Sequence, residues 1–145
     1  MKIPPSILQQ IIDQAERGYP NETCAILLGR GEEFLEFRKC ANIYDEMHAR
    51  HPETYPRTAK EAYLIDPQEQ QKIFDAAAAQ GLEVKGIMHS HTDHDAYFSE
   101  EDSLVAAPWG EPMYPGVTYI VVSVRDGKFK EMKEYRWNDQ KKSFL

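Results

Sequence analysis

The chain has 145 residues, 41% of them hydrophobic and 28% charged, with a formal net charge of -7. A chain of this length buries a core without disulfides, and the acidic balance argues against a nucleic-acid partner, which would require clustered Lys and Arg. No apolar run reaches the roughly 20 residues that span a bilayer, and the opening MKIPPSILQQ lacks the apolar stretch of a secretory signal. The expectation is one domain over residues 1–145, cytoplasmic, with no membrane partner. Cys24 and Cys40 lie far apart with no CxxC spacing, which reads as two buried reduced thiols.

Ile7, Leu8, Ile11, Ile12 and Ala15 recur at helical spacing before Gly18 and Pro20, so a helix is predicted over 6–17. Cys24 to Gly29 is a short apolar run that reads as a buried strand, and Phe34 to Arg38 as its hairpin return. Tyr44 to Thr58 is polar, carries two prolines and has no clear period, which predicts a long loop. Ala62 to Ile65 reads as a strand. Asp66, Pro67 and Glu69 then open a helix that Gly81 ends. Leu82 to His91 is a strand, Ser99 starts a helix of about two turns, and Val117 to Val124 is the strongest strand in the chain. Asp126-Gly127 turns it into a return strand from Phe129 to Trp137. Helices scattered among mostly hairpin-linked strands place the chain in the mixed α/β (α+β) class.

His89 and His91 stand two residues apart at the end of a predicted strand, so their side chains share one face. Imidazole suits zinc, and an open catalytic zinc site takes three protein ligands plus water. Alone, the pair reads equally well as two surface histidines. Ser99 and Asp102, after seven and then two intervening residues, suit a helix-capping box. Such a cap is compatible with a second role, because it could aim Asp102 back at the histidines.

Two metallohydrolase patterns overlay this stretch. His89, His91, Asp93 and His94 resemble the HxHxDH signature of the metallo-β-lactamase superfamily. That fold needs a further histidine downstream, and none follows His94. Asp93, His94 and Asp95 are then polar loop residues. The second pattern, H-S-H-x7-S-x2-D, is filled at every position by His89, Ser90, His91, Ser99 and Asp102. This resembles the JAMM (MPN-plus) metalloprotease motif, whose remaining glutamate lies well upstream before an apolar strand. Glu22, ahead of Cys24-Ala25-Ile26-Leu27-Leu28-Gly29, matches it. Tyr55 to Ala59, Ala62 to Pro67, and Ala96-Tyr97 before Ser99 resemble the bacterial Mec-type branch, the cysteine-releasing hydrolases of sulfur-carrier proteins.

The resemblance implies a single MPN domain with a curved, mostly antiparallel sheet flanked by helices. It implies one Zn2+ per chain on His89, His91 and Asp102, Glu22 as general base and Ser99 as oxyanion donor. The implied substrate is a ubiquitin-like β-grasp sulfur carrier, cut after its Gly-Gly tail to release cysteine or a short extension. Arg57, Ser90 and Tyr97 are expected substrate contacts. His48 and His51 read as solvated loop residues. An isopeptidase acting on ubiquitin-like conjugates would carry the same catalytic residues, so that alternative stays open, as does a homodimer. A non-catalytic MPN scaffold is disfavoured because every motif position is filled.

Overall fold

Ile7, Ile11 and Ala15 recur every fourth residue, and in the computed structural model, which describes residues 3–145, they form the buried face of helix α1 (Pro5–Gly18). Strand β1 (Cys24–Arg30) follows and turns into β2 (Glu33–Cys40). β1 is covered on both faces, which is why its apolar run is continuous instead of alternating. Ala25 and Leu27 pack with the α1 residues, while Cys24, Ile26 and Leu28 pack in the opposite layer. Cys24 and Cys40 are free, buried and directly opposite each other in the β1–β2 ladder.

The next elements are helices α2 (Tyr44–Arg50) and α3 (Pro67–Ala79), strand β3 (Glu83–Thr92) and helix α4 (Glu100–Ala106). Strands β4 (Thr118–Arg125) and β5 (Lys128–Tyr135) complete the main sheet, and β6 (Trp137–Asn138) pairs with β7 (Ser143–Phe144) in a small second one. The five-stranded sheet runs β2-β1-β3-β4-β5, and every neighbouring pair is antiparallel except β3 with β4. A parallel pair needs a crossover. Residues 93–117 supply it, and α4 lies within that crossover. Ile73 and Ala77 of α3 and Ala106 of α4 share one cluster with Cys24, Ile26 and Ile87, so α3 and α4 cover the face opposite α1. The class is mixed α+β, as expected. Among the described residues no helix is long and apolar enough to cross a membrane.

Two expectations need correction. Part of the 44–58 loop is α2, which buries no residue and therefore leaves no apolar period to read. It is held by polar groups instead: Asn42 Oδ1 accepts from the Tyr44 N–H (3.0 Å) and Asp45 Oδ1 from the Ala59 N–H (2.7 Å). The strand expected over 62–65 reduces to one isolated bridge, Asn42 with Ile65. Its Leu64 N–H is taken by the Asn42 side chain (3.0 Å), which leaves no continuous ladder.

Gly29 sits where the β1–β2 register shifts, and a Cβ there would lie 1.8 Å from the Glu33 carbonyl oxygen. Gly29→Ala should therefore destabilise the fold by about 1–3 kcal/mol, the usual range for overpacking. Urea unfolding would show a lower midpoint at unchanged slope. An unchanged midpoint would mean that the turn relaxes without strain.

Candidate active site

Alternation along β3 sends Met88 toward α1 and Ile87 toward α3 and α4. His89 and His91 share the parity of Ile87, so both point to the layer that contains α4. The start of α4 is a full capping box: Ser99 Oγ accepts from the Asp102 N–H and Asp102 Oδ2 accepts from the Ser99 N–H, both at 3.0 Å. The box turns the carboxylate inward. Asp102 Oδ2 lies 3.1 Å from His89 Nε2 and 3.3 Å from His91 Nε2, and the two imidazole nitrogens are 3.2 Å apart.

All three side chains are buried, and their ligand-type atoms lie within 4.8 Å of one another. This group could hold a metal ion. Two imidazole nitrogens and one carboxylate oxygen are the donor set of an open three-ligand site. His91 Nδ1 lies 2.8 Å from the Asp95 carbonyl oxygen, which orients the ring and leaves Nε2 for an ion. His89 Nδ1 is buried without a hydrogen-bond partner, and its ring is held by stacking on Tyr63, centroids 4.4 Å apart at 18°. Burial alone would raise the Asp102 carboxyl. The charge and hydrogen bond of His89, with the bonds from His91 and the Ser99 N–H, outweigh it and hold Asp102 well below the usual carboxylate range.

Glu22 reaches the same place from the other side of the sheet's end. Its N–H donates to the Ala59 carbonyl (2.7 Å), and its own carbonyl accepts from Asn42 Nδ2 (2.9 Å). Asn42 Nδ2 also donates to Ala62 O (3.0 Å), so with its two accepted bonds one side chain ties residues 22, 44, 62 and 64 together. Glu22, His91, Ser99 and Asp102 all line one open cavity of about 860 Å³. Burial, followed by the nearby charges of Asp102 and Glu101, raises the Glu22 carboxyl from 4.5 to about 9, against a smaller downward pull from Arg57.

The other expected site residues divide. Tyr97 is half-exposed and lines the cavity, its ring 4.9 Å from that of His91. Arg57 lines the opposite wall and forms an ion pair with Glu101 of α4. Ser90 was expected to touch substrate but is wholly buried. Its Oγ accepts from the Thr23 N–H (2.7 Å), so it fastens β3 to the Glu22 segment. His94 lines the cavity outside the ligand group. His48 Nδ1 lies 2.6 Å from the Tyr55 carbonyl oxygen and His51 is exposed; neither lines the cavity. Asn42, Tyr63 and Glu101 were missed. Asn42 and Glu101 act only through tertiary contacts, and the one available signal for Tyr63 was its place in the Ala62 to Pro67 stretch.

A family model described as prokaryotic homologs of the JAB domain matches residues 4–138. The chain is 29% identical over 132 residues to the CysO-cysteine peptidases of Mycobacterium tuberculosis (strain ATCC 25618 / H37Rv) and Mycobacterium bovis (strain ATCC BAA-935 / AF2122/97), covering 90% of this chain and 77% of each relative. A solved protein from Salinibacter ruber (strain DSM 13855) is 31% identical, with a TM-score of 0.65 over 100% of this chain and 87% of that one. A JAB1/MPN domain protein from Archaeoglobus fulgidus superposes with a TM-score of 0.56 at 20% identity, over 100% of this chain and 94% of that one, a likeness of fold alone.

The raised Glu22 carboxyl has a measurable consequence in the metal-free protein. Its folded-state value lies above the unfolded one, so its contribution is fully present below pH 4.5 and is lost as pH rises toward about 9. Glu22→Gln, neutral throughout, should be the more stable protein at pH 7 by about 3 kcal/mol and should match wild type near pH 4. Thermal unfolding of chelator-treated samples from pH 4 to 9 checks this. Parallel curves would mean that Glu22 is not shifted. Asp102, depressed, changes stability in acid and does so in both proteins.

Proposed function

The chain belongs to the family of prokaryotic JAB-domain homologues, and on that footing we propose that it is a single-domain zinc peptidase. It would cut after the C-terminal Gly-Gly of a ubiquitin-like sulfur carrier and release cysteine or a short extension, leaving the carrier ready for thiocarboxylation. The observation that carries this reading is the buried His89, His91 and Asp102 group, two of whose members line one cavity with Glu22. The relatives named CysO-cysteine peptidase support the substrate class.

His89, His91 and Asp102 would hold the metal. Zinc there would supply Lewis acidity, activating a water near pH ~7 and polarising the scissile carbonyl. Glu22 takes a proton from that water and delivers it to the departing amine. Ser99 Oγ already accepts from the Asp102 N–H, which leaves its own hydrogen free to donate to the carbonyl oxygen as charge develops there. Cutting one carrier bond balances simply: the water oxygen joins the glycine carbonyl carbon, the C–N bond breaks, and the proton ends on the released amine.

Incubation of the zinc-loaded protein with β-grasp carriers extended beyond Gly-Gly should remove the extension, read by intact mass. Chelator and Glu22→Gln should each abolish the loss. A natively purified protein without zinc, with no cleavage gained on adding it, would sink the proposal.

Ser99→Ala separates two roles that share one hydroxyl. The lost cap should cost about 1 kcal/mol of stability. The lost donor should lower kcat by a further 10²–10³-fold, on the order of other oxyanion-hole deletions. A variant with a lower Tm and intact turnover would leave Ser99 as a cap alone.

A further inference from the structure

The cavity walls are strongly acidic. Glu22, Glu61, Glu100, Glu101 and Asp102 line it, and among the described lining residues Arg57 is the one Lys or Arg side chain. Arg57 belongs to the segment joining α2 to α3 and Glu101 to the first turn of α4, so their ion pair bridges the two walls of the cleft. Arg57 also approaches Glu61 (3.9 Å) and remains 43% exposed, so its guanidinium is reachable from the cavity. It is close enough to Glu22 for its charge to act on that carboxyl.

We infer that Arg57 reads the free C-terminal carboxylate of the substrate and that Glu101 is a built-in competitor for it. This deepens the proposed function and rests on it. A carboxylate entering this cavity meets five acidic side chains and, among the Lys and Arg residues, Arg57 alone, and a guanidinium fork is matched to a carboxylate. Glu101 fills that fork when no substrate is present. A substrate ending one or a few residues past the scissile bond brings its own carboxylate and displaces Glu101. An isopeptide-linked lysine brings no such group and would leave the Arg57–Glu101 bridge closed across the cleft. The same residues thus favour trimming of a chain end over deconjugation, although the catalytic groups would serve both.

The test uses short synthetic peptides ending Gly-Gly-Ser, a stand-in for cysteine without thiol chemistry, made as free acid and as C-terminal amide. Fluorescence polarisation on the metal-free protein should show the free acid binding about tenfold tighter than the amide. Arg57→Met should close that gap, and Arg57→Lys, keeping charge without the fork, should narrow it. Glu101→Gln should widen it, and this second variant supplies an independent arm should Arg57→Met fold poorly. Equal binding of the two peptides by the wild-type protein, including no binding of either, overturns the inference. So does a gap that survives Arg57→Met or shrinks in Glu101→Gln. The zinc-loaded protein separates this from the peptidase reading. Equal kcat/KM on acid and amide carriers would retain the hydrolase and remove the Arg57 role. A binding gap without any cleavage would retain the carboxylate site and remove the hydrolase.

Discussion

Everything at the cavity depends on the register of β1 against β3. Cys24 lies opposite His89 in that ladder, and the next contact outward is the Ser90 N–H on the Thr23 carbonyl (3.0 Å). Carried one step further, the same register brings Glu22 alongside His91. A slip of one residue would turn the histidines toward α1 and leave the glutamate facing nothing. The register is held by the two-sided burial of β1 and β3, and Ser90 reinforces it with bonds to the Thr23 backbone and hydroxyl. A buried serine between two histidines is therefore part of what aligns the histidines with Glu22.

The site places two carboxyls in one cavity and separates their chemistry by environment. Asp102 lies against the Nε2 atoms of two imidazoles and accepts from a helix-start N–H. Glu22 has a buried setting and acidic neighbours. Burial acts in the same direction on both, so the donors decide the difference. In the metal-free protein one carboxyl is held as an anion and the other is biased toward its protonated form. The capping box therefore serves the helix and the ligand set with the same pair of bonds.

The legible parts of the fold were those with a strong local signal. The ends of α1 and β3 differ from expectation by a residue or so, because periodicity and Gly or Pro punctuation mark them. α2 was not legible because it packs no apolar face, and residues 62–65 misled because apolar content there serves Tyr63 stacking and Ile65 burial without a ladder. His89, His91 and Asp102 could be grouped because they form one contiguous motif, and the structure brings those three together. The burial of Ser90 against Thr23 was not legible, since a motif position gives no sign of which way its side chain faces a neighbouring strand. Asn42 and the Arg57–Glu101 bridge depend on segments far apart in the chain, and no local pattern announces either.

The two opposed cysteines bear on what the site can tolerate. Burial pushes both thiols up, Cys40 to about 12 and Cys24 further, so neither offers a thiolate at neutral pH. Thiolates are the species that attack disulfides and capture soft metals. Cys24 stands beside His89 in the ladder and lies outside the His89, His91 and Asp102 group. The proposed release of cysteine would place a reactive small thiol, and its oxidised forms, one strand away from Cys24 and two from Cys40. With no nucleophile on the protein side, mixed disulfides have no way to begin. The sheet interior would then shield both cysteines from the redox chemistry of the proposed product.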